Sequence, residues 1–119
     1  MSARRIMHIS TRLILGGSQE NTVLSCEGQV GRGHTVSLVH GPIYGPEGSL
    51  KARIDAFNAA APRPIECMEV PELVRAVVPW KDRRALRDLT ARIRAWSPDV
   101  VHTHSSKAGI LGRMAAWKC

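Results

Sequence analysis

Aromatic residues are scarce in this chain of 119 residues: one Tyr, one Phe and three Trp make up 4% of it. With so few stacking platforms and no recognisable binding module, no nucleic-acid partner is expected, although the formal net charge is +7. Cysteine is also sparse. Cys26, Cys67 and Cys119 are widely spaced and form no CxxC pair, which argues against a disulfide framework or zinc ribbon and fits a reducing, cytoplasmic setting. No run of about 18 apolar residues is present to span a bilayer. Arg4 and Arg5 do not open a signal peptide, because His8, Ser10, Thr11 and Arg12 interrupt the apolar core that should follow. Low-complexity tracts and internal repeats are missing, and so is the GxGxxG fingerprint of dinucleotide binding.

What remains is the composition of one ordinary globular domain, 44% hydrophobic and 23% charged. A chain of this length buries roughly 65% of its unfolded surface if it folds alone. The excess positive charge is concentrated. Between Trp80 and Trp96, six basic residues (Lys81, Arg83, Arg84, Arg87, Arg92, Arg94) face only Asp82 and Asp88, a net +4. Such a face is first of all a solvated helix surface, and its main functional alternative is peripheral contact with anionic lipid headgroups.

The most informative stretch is DVVHTHSSKAG, Asp99 to Gly109. Val100 and Val101 end a short apolar run that reads as a strand buried on both faces. Ser105 and Ser106 are N-cap residues, and Ile110, Leu111, Met114 and Trp117 follow at the spacing of one helix face. A strand entering a helix through polar residues places them at the carboxyl end of the strand, where open parallel α/β sheets bind ligands.

Upstream, Arg5 to Ser10 reads as a first strand, and Gly16 and Gly17 lead into a helix from Ser18 to about Val30 with an inner stripe of Val23, Cys26 and Val30. Gly31 to His34 stop that helix through a left-handed glycine. Thr35 to Val39 is a second strand, so the unit is βαβ and its strands are parallel. The loop from Gly41 to Gly48 leads to a short helix from Ser49 through Phe57, and Ile65 to Val70 alternates as a third strand. The segment between Pro71 and Pro79 reads as loop. From Asp82 to Trp96, Leu86, Leu89, Ile93 and Trp96 form the stripe of a third helix, which Ser97 and Pro98 end. The order βαβαβαβα predicts an α/β fold, a Rossmann-like doubly wound parallel sheet.

Gly16 and Gly17 follow a strand and open a helix, so backbone N–H groups there can approach a phosphate closely. A plain tight turn explains them equally well. His102 and His104, at i and i+2, share one strand face. No third or fourth ligand is evident nearby in sequence, so no metal is expected. His102 reads as a core histidine within the sheet and His104 as the residue at the rim facing the cleft. His8, His34 and His40 have no motif context and read as core or surface residues.

These features together resemble the N-terminal domain of family 4 glycosyltransferases, which have the GT-B fold. The resemblance runs over nearly the whole chain: the first strand with ISTR, LILGGSQEN, GRGHTVSLV, GPEGSL and SPDVVHTHSSKAGILGR. The pairing of RGHxVxLV with PDVVHxH is its most specific part. Many members carry glutamate two places after the glycine pair, where this chain has Gln19 followed by Glu20. The resemblance implies retaining transfer of a sugar from a nucleotide-sugar donor to a glycan or lipid-linked acceptor, with no cofactor and no dissociable metal. It also implies that residues 1–119 are a truncated, acceptor-side domain, inactive without a donor-binding second domain. By the same resemblance, Gly16 and Gly17 contact donor phosphate, His104 stands beside the transferred sugar, and Ser105 and Lys107 are weaker acceptor or phosphate contacts. The reading from a different class is a noncatalytic nucleotide- or phosphate-binding Rossmann-like module. An NAD-dependent oxidoreductase lacks both the fingerprint and the acidic residue about 20 positions further on that would hold a ribose.

Overall fold

The computed structural model describes residues 3–11, 17–42, 51–61, 63–74, 78–104 and 106–119, with backbone only for 17–20, 51, 106 and 107. Eight elements alternate in the predicted order: β1 (Arg5–Ser10), α1 (Gly17–Gly31), β2 (Thr35–His40), α2 (Lys51–Ala60), β3 (Glu66–Glu69), α3 (Pro79–Trp96), β4 (Val100–His104) and α4 (Ser106–Lys118). The strands form one parallel sheet in the order β3-β2-β1-β4. The chain steps outward from β1 to β3 and then returns to the other side of β1, so the order reverses between β1 and β4. At such a switch point the flanking connections diverge and leave a crevice at the strands' carboxyl ends.

Side-chain alternation along the strands divides the core in two. On one face Val36 and Leu38 pack with Val23, Cys26 and Val30 of α1, Ile54 of α2 and Ile65. On the other, Met7, Ile9 and Val39 pack with Ala85, Leu89, Ile93 and Trp96 of α3 and Ala108, Leu111 and Ala115 of α4. Helices on both faces make this a Rossmann-like, doubly wound α/β fold. Among the described residues, no helix is long and apolar enough to cross a membrane.

Local chemistry sets the ends of the elements. Gly33, at φ 91°, provides the left-handed turn after α1, and the N–H groups of Gly33 and His34 bond to Val30 O and Gln29 O. α3 starts three residues before the expected Asp82, because Pro79 occupies its first turn, where a missing N–H costs nothing. At its other end Ser97 adopts φ 53°, ψ 61°, and its N–H closes on Ile93 O. The Arg5 guanidinium donates to the Trp96 carbonyl at 2.7 and 3.0 Å and lies 4.1 Å over the Trp96 ring, while the indole N–H donates to the Glu66 carboxylate. β3 is shorter than expected, Glu66–Glu69. α2 runs on to Ala60, and its expected cap, Ser49, lies outside the described residues, as does most of the Gly41–Gly48 loop.

Two expectations about burial are corrected. β4 is not buried on both faces: Val100 is 44% exposed and Val101 only partly covered. It borders the described sheet, and α3 and α4 cover the face of Val101 and Thr103, whereas no described helix lies over Val100 and His102. In α4 the inner stripe is Ala108, Leu111 and Ala115, with Gly112 nearest the sheet, while Ile110, Met114 and Trp117 face outward, Trp117 at 90% exposure. Small residues win the inner face because α4 approaches β4 closely: a Cβ on Gly112 would lie 2.7 Å from Thr103 Cγ2.

Candidate active site at the β1–β4 switch point

The register of β4 against β1 pairs His8 with His102 and Ser10 with His104, which puts all three histidines on one sheet face. His8 is fully buried under α1. Its Nε2 lies 2.7 Å from Gln29 Oε1, near the end of that helix. An amide oxygen only accepts, so His8 donates through Nε2 and its Nδ1 keeps a lone pair. That lone pair is 2.9 Å from His104 Nε2, which therefore donates. The chain of bonds runs from His104 through His8 to Gln29. It fixes the tautomer of His104 and leaves His104 Nδ1 as an acceptor at the strand's carboxyl end.

The three rings are close enough to affect one another's charge. His102 and His104 stack with centroids 4.3 Å apart, and His8 lies 5.3 and 5.2 Å from them. Burial first, then repulsion from His102 and His8, lowers the His104 pKa from 6.5 to about 4. Burial also lowers that of His8, against the opposing effect of the hydrogen bond it donates to Gln29. Both imidazoles are thus neutral near pH 7, and the site offers lone pairs and N–H donors rather than positive charge.

His104 stands where the sequence puts it, half-buried at the rim. His102 does not: it is exposed rather than core, because β4 is covered on one face only. His8, read as an isolated core or surface histidine, is in the core and also in the site. Finding it required the register between two strands 96 residues apart along the chain. α1 begins at Gly17, so the second glycine supplies the first amide of a helix pointing at the cleft end of the sheet. Gly16 and Ser105 lie outside the described residues, as do the side chains of Ser106 and Lys107.

Away from this site, an open hollow of about 550 Å³ sits at the opposite end of β4 between Ile93, Pro98, Val101 and Ala116. It is a packing gap near the ends of α3 and α4, without the histidines. A second hollow of about 460 Å³ is lined by Arg83, Arg87, Thr90, Arg94 and Lys118.

The family profile described as "Glycosyl transferase 4-like domain" matches residues 16–119. The chain is similar to the UDP-Gal:alpha-D-GlcNAc-diphosphoundecaprenol alpha-1,3-galactosyltransferase of Escherichia coli, with 49% identity over 47 residues, 40% of this chain and 12% of that enzyme. Among solved structures, a glycosyltransferase from Rickettsia africae ESF-5 superposes with a TM-score of 0.70 over 96% of this chain at 19% identity. The superposed region is 27% of that protein, so the chain spans about a quarter of the solved structure it matches.

Proposed function

The chain belongs to the Glycosyl transferase 4-like domain family, and from that premise we propose that it is the acceptor-side part of a retaining glycosyltransferase of GT-B architecture. Its donor is a nucleotide sugar and its acceptor a glycan or a lipid-linked saccharide. The relative from Escherichia coli, named for a UDP-sugar donor and a diphosphoundecaprenol-linked acceptor, supports the lipid-linked form. The observation that carries the reading is the His104 imidazole, neutral, bonded through Nε2 to His8, and offering Nδ1 at the switch point.

In this scheme the acceptor or donor hydroxyl donates to His104 Nδ1, and the His8–Gln29 relay holds the ring so that the bond forms without reorganisation. Gly16 and Gly17 are the donor-phosphate contacts of this reading, and α1, which begins at Gly17, puts its positive end on that side. Ser105 and Lys107, at the start of α4, are further contacts to acceptor or phosphate. A second α/β domain supplies the other wall of the cleft and most of the donor selectivity. Residues 1–119 by themselves give no turnover, because the reactants are not held together.

The test is transfer by the full-length protein from labelled UDP-sugars to a diphospholipid-linked N-acetylhexosamine, with the anomeric configuration of the product determined. Transfer with retention is expected. Tight nucleotide binding with no transfer to any acceptor would instead establish the noncatalytic nucleotide-binding module.

The basic face of α3 fits an acceptor embedded in a membrane. Its ion pairs, Arg84 with Glu72 and Arg92 with Asp88, leave Arg83, Arg87 and Arg94 without a carboxylate partner among the described residues. These three line the hollow closed by Lys118 and are placed to meet anionic headgroups. Reversing all three to glutamate should weaken binding to anionic vesicles at low salt by at least roughly a hundredfold, since losing three basic residues alone costs about 1 kcal/mol each. Unchanged co-sedimentation would return the face to a solvated surface.

A further inference from the structure

We propose that His8, His102 and His104 form a binding site for a divalent transition ion of the zinc type. Metal capture and glycosyl transfer are separate properties of this cluster, and the first does not require the second.

Each of the three residues offers one ring nitrogen, and these atoms all lie within 4.8 Å of one another. The His8 Nδ1 to His104 Nε2 distance is 2.9 Å. Two nitrogens on a tetrahedral Zn²⁺, each bonded at about 2.0–2.1 Å, stand about 3.3 Å apart. The observed separations bracket that value, so ring rotations suffice and the backbone need not move. The strands already supply the arrangement: two ligands at i and i+2 on β4, and the third in register on β1.

Three further observations favour an ion here. The donor set is entirely imidazole, which suits Zn²⁺, Co²⁺, Ni²⁺ and Cu²⁺ and not the oxygen-seeking Mg²⁺ or Ca²⁺. His8 has the outer partner that metal-bound histidines usually have: Gln29 Oε1 accepts from its Nε2 at 2.7 Å and aims the other nitrogen into the cluster. The site is also reachable, since His102 is exposed at β4, the part of this sheet face that no described helix covers. Solvent can complete the coordination from that side, giving three protein ligands and an open position.

Binding exchanges one hydrogen bond for three coordinate bonds without net loss of a proton. In the free site the His104 proton is on Nε2, shared with His8 Nδ1. When both nitrogens bind the ion, that proton passes through solvent to His104 Nδ1, and the ring stays neutral. His104 Nδ1 then becomes a donor where it had been an acceptor.

The experiment is a titration of the metal-stripped full chain with Co²⁺ followed by Zn²⁺. One Co²⁺ per chain, with the visible absorption of a four-coordinate site that one equivalent of Zn²⁺ abolishes, is the expected result. His102 is exposed, so His102→Ala should fold normally and lose more than the roughly 10–100-fold in affinity typical of removing an outer-shell partner. Gln29→Leu, which removes such a partner, should fall within that range, and His34→Ala, outside the cluster, should bind like the parent. No cobalt absorption, or equal affinity in His102→Ala, overturns the site.

Discussion

Gly41→Ala is expected to destabilise the protein by at least about 3 kcal/mol, at the upper end of what overpacking costs. Gly41 follows β2 and is buried, with its N–H bonded to Thr11 O at 2.9 Å. A Cβ there would come 1.9 Å from Leu73 O and 2.6 Å from Thr11 O. Both are backbone atoms, so no rotamer change relieves the clash. Retreat is blocked as well. Val70 N–H is tied to His40 O, Leu73 N–H to Val70 O, and the Leu73 side chain is fully buried in the core beneath α3. Gly28, in α1, has nothing within 4 Å of its would-be Cβ, so Gly28→Ala should gain up to about 1 kcal/mol from helix propensity alone. Urea unfolding of the two variants beside the parent gives the comparison, and a parental midpoint for Gly41→Ala would mean that the Leu73 segment can move aside.

The other large effect is on turnover. On the proposed transfer reading, His104→Ala in the full-length protein should lower the turnover rate by roughly one to three orders of magnitude, the range for a single positioned polar group. The half-buried ring gives up one hydrogen bond, so the stability loss should stay near about 1 kcal/mol. His8 behaves oppositely. Its removal leaves a hole beneath α1 and strands Gln29 Oε1, so His8→Ala should lower the melting temperature clearly, and its kinetic defect comes through the lost orientation of His104. His102→Ala should leave the melting temperature nearly unchanged, since the ring is exposed. Normal turnover by a folded His104→Ala enzyme would remove this residue from the mechanism.

Much of the scaffold was legible because its signals are local. Arg5–Ser10 was read to the residue from an apolar run, and the stripe of Val23, Cys26 and Val30 is the buried face of α1. The start of α3 carried a signal too, since Pro79 belongs in a first helical turn, but Pro71 and Pro79 together read as loop. The histidines divide along the same line. That His102 and His104 share a face follows from the strand's period of two. That His8 joins them depends on how β4 registers against β1, and that His102 is exposed depends on β4 lying at the border of the described sheet. Both are facts about strand order, which no window of neighbouring residues contains. The outward turn of Ile110, Met114 and Trp117 has a similar origin, in the closeness of α4 to Thr103.

Where β4 begins, the Asp99 carboxylate accepts from the Arg5 N–H at 2.8 Å, and the Asp99 N–H donates to Arg5 O at 2.7 Å. This pair works as a latch on the alignment of the two strands. In the described sheet β4 has β1 as its single hydrogen-bonded neighbour, so no second strand corrects its position. A slip of one residue would turn Val101 and Thr103 toward the cleft and carry both β4 histidines to the opposite side. The acid–amide contact at the foot of the strand thus governs which chemistry the sheet presents at its top. Damage at Asp99 would read out as loss of the histidine cluster, three to five residues along the strand and without any direct contact to it.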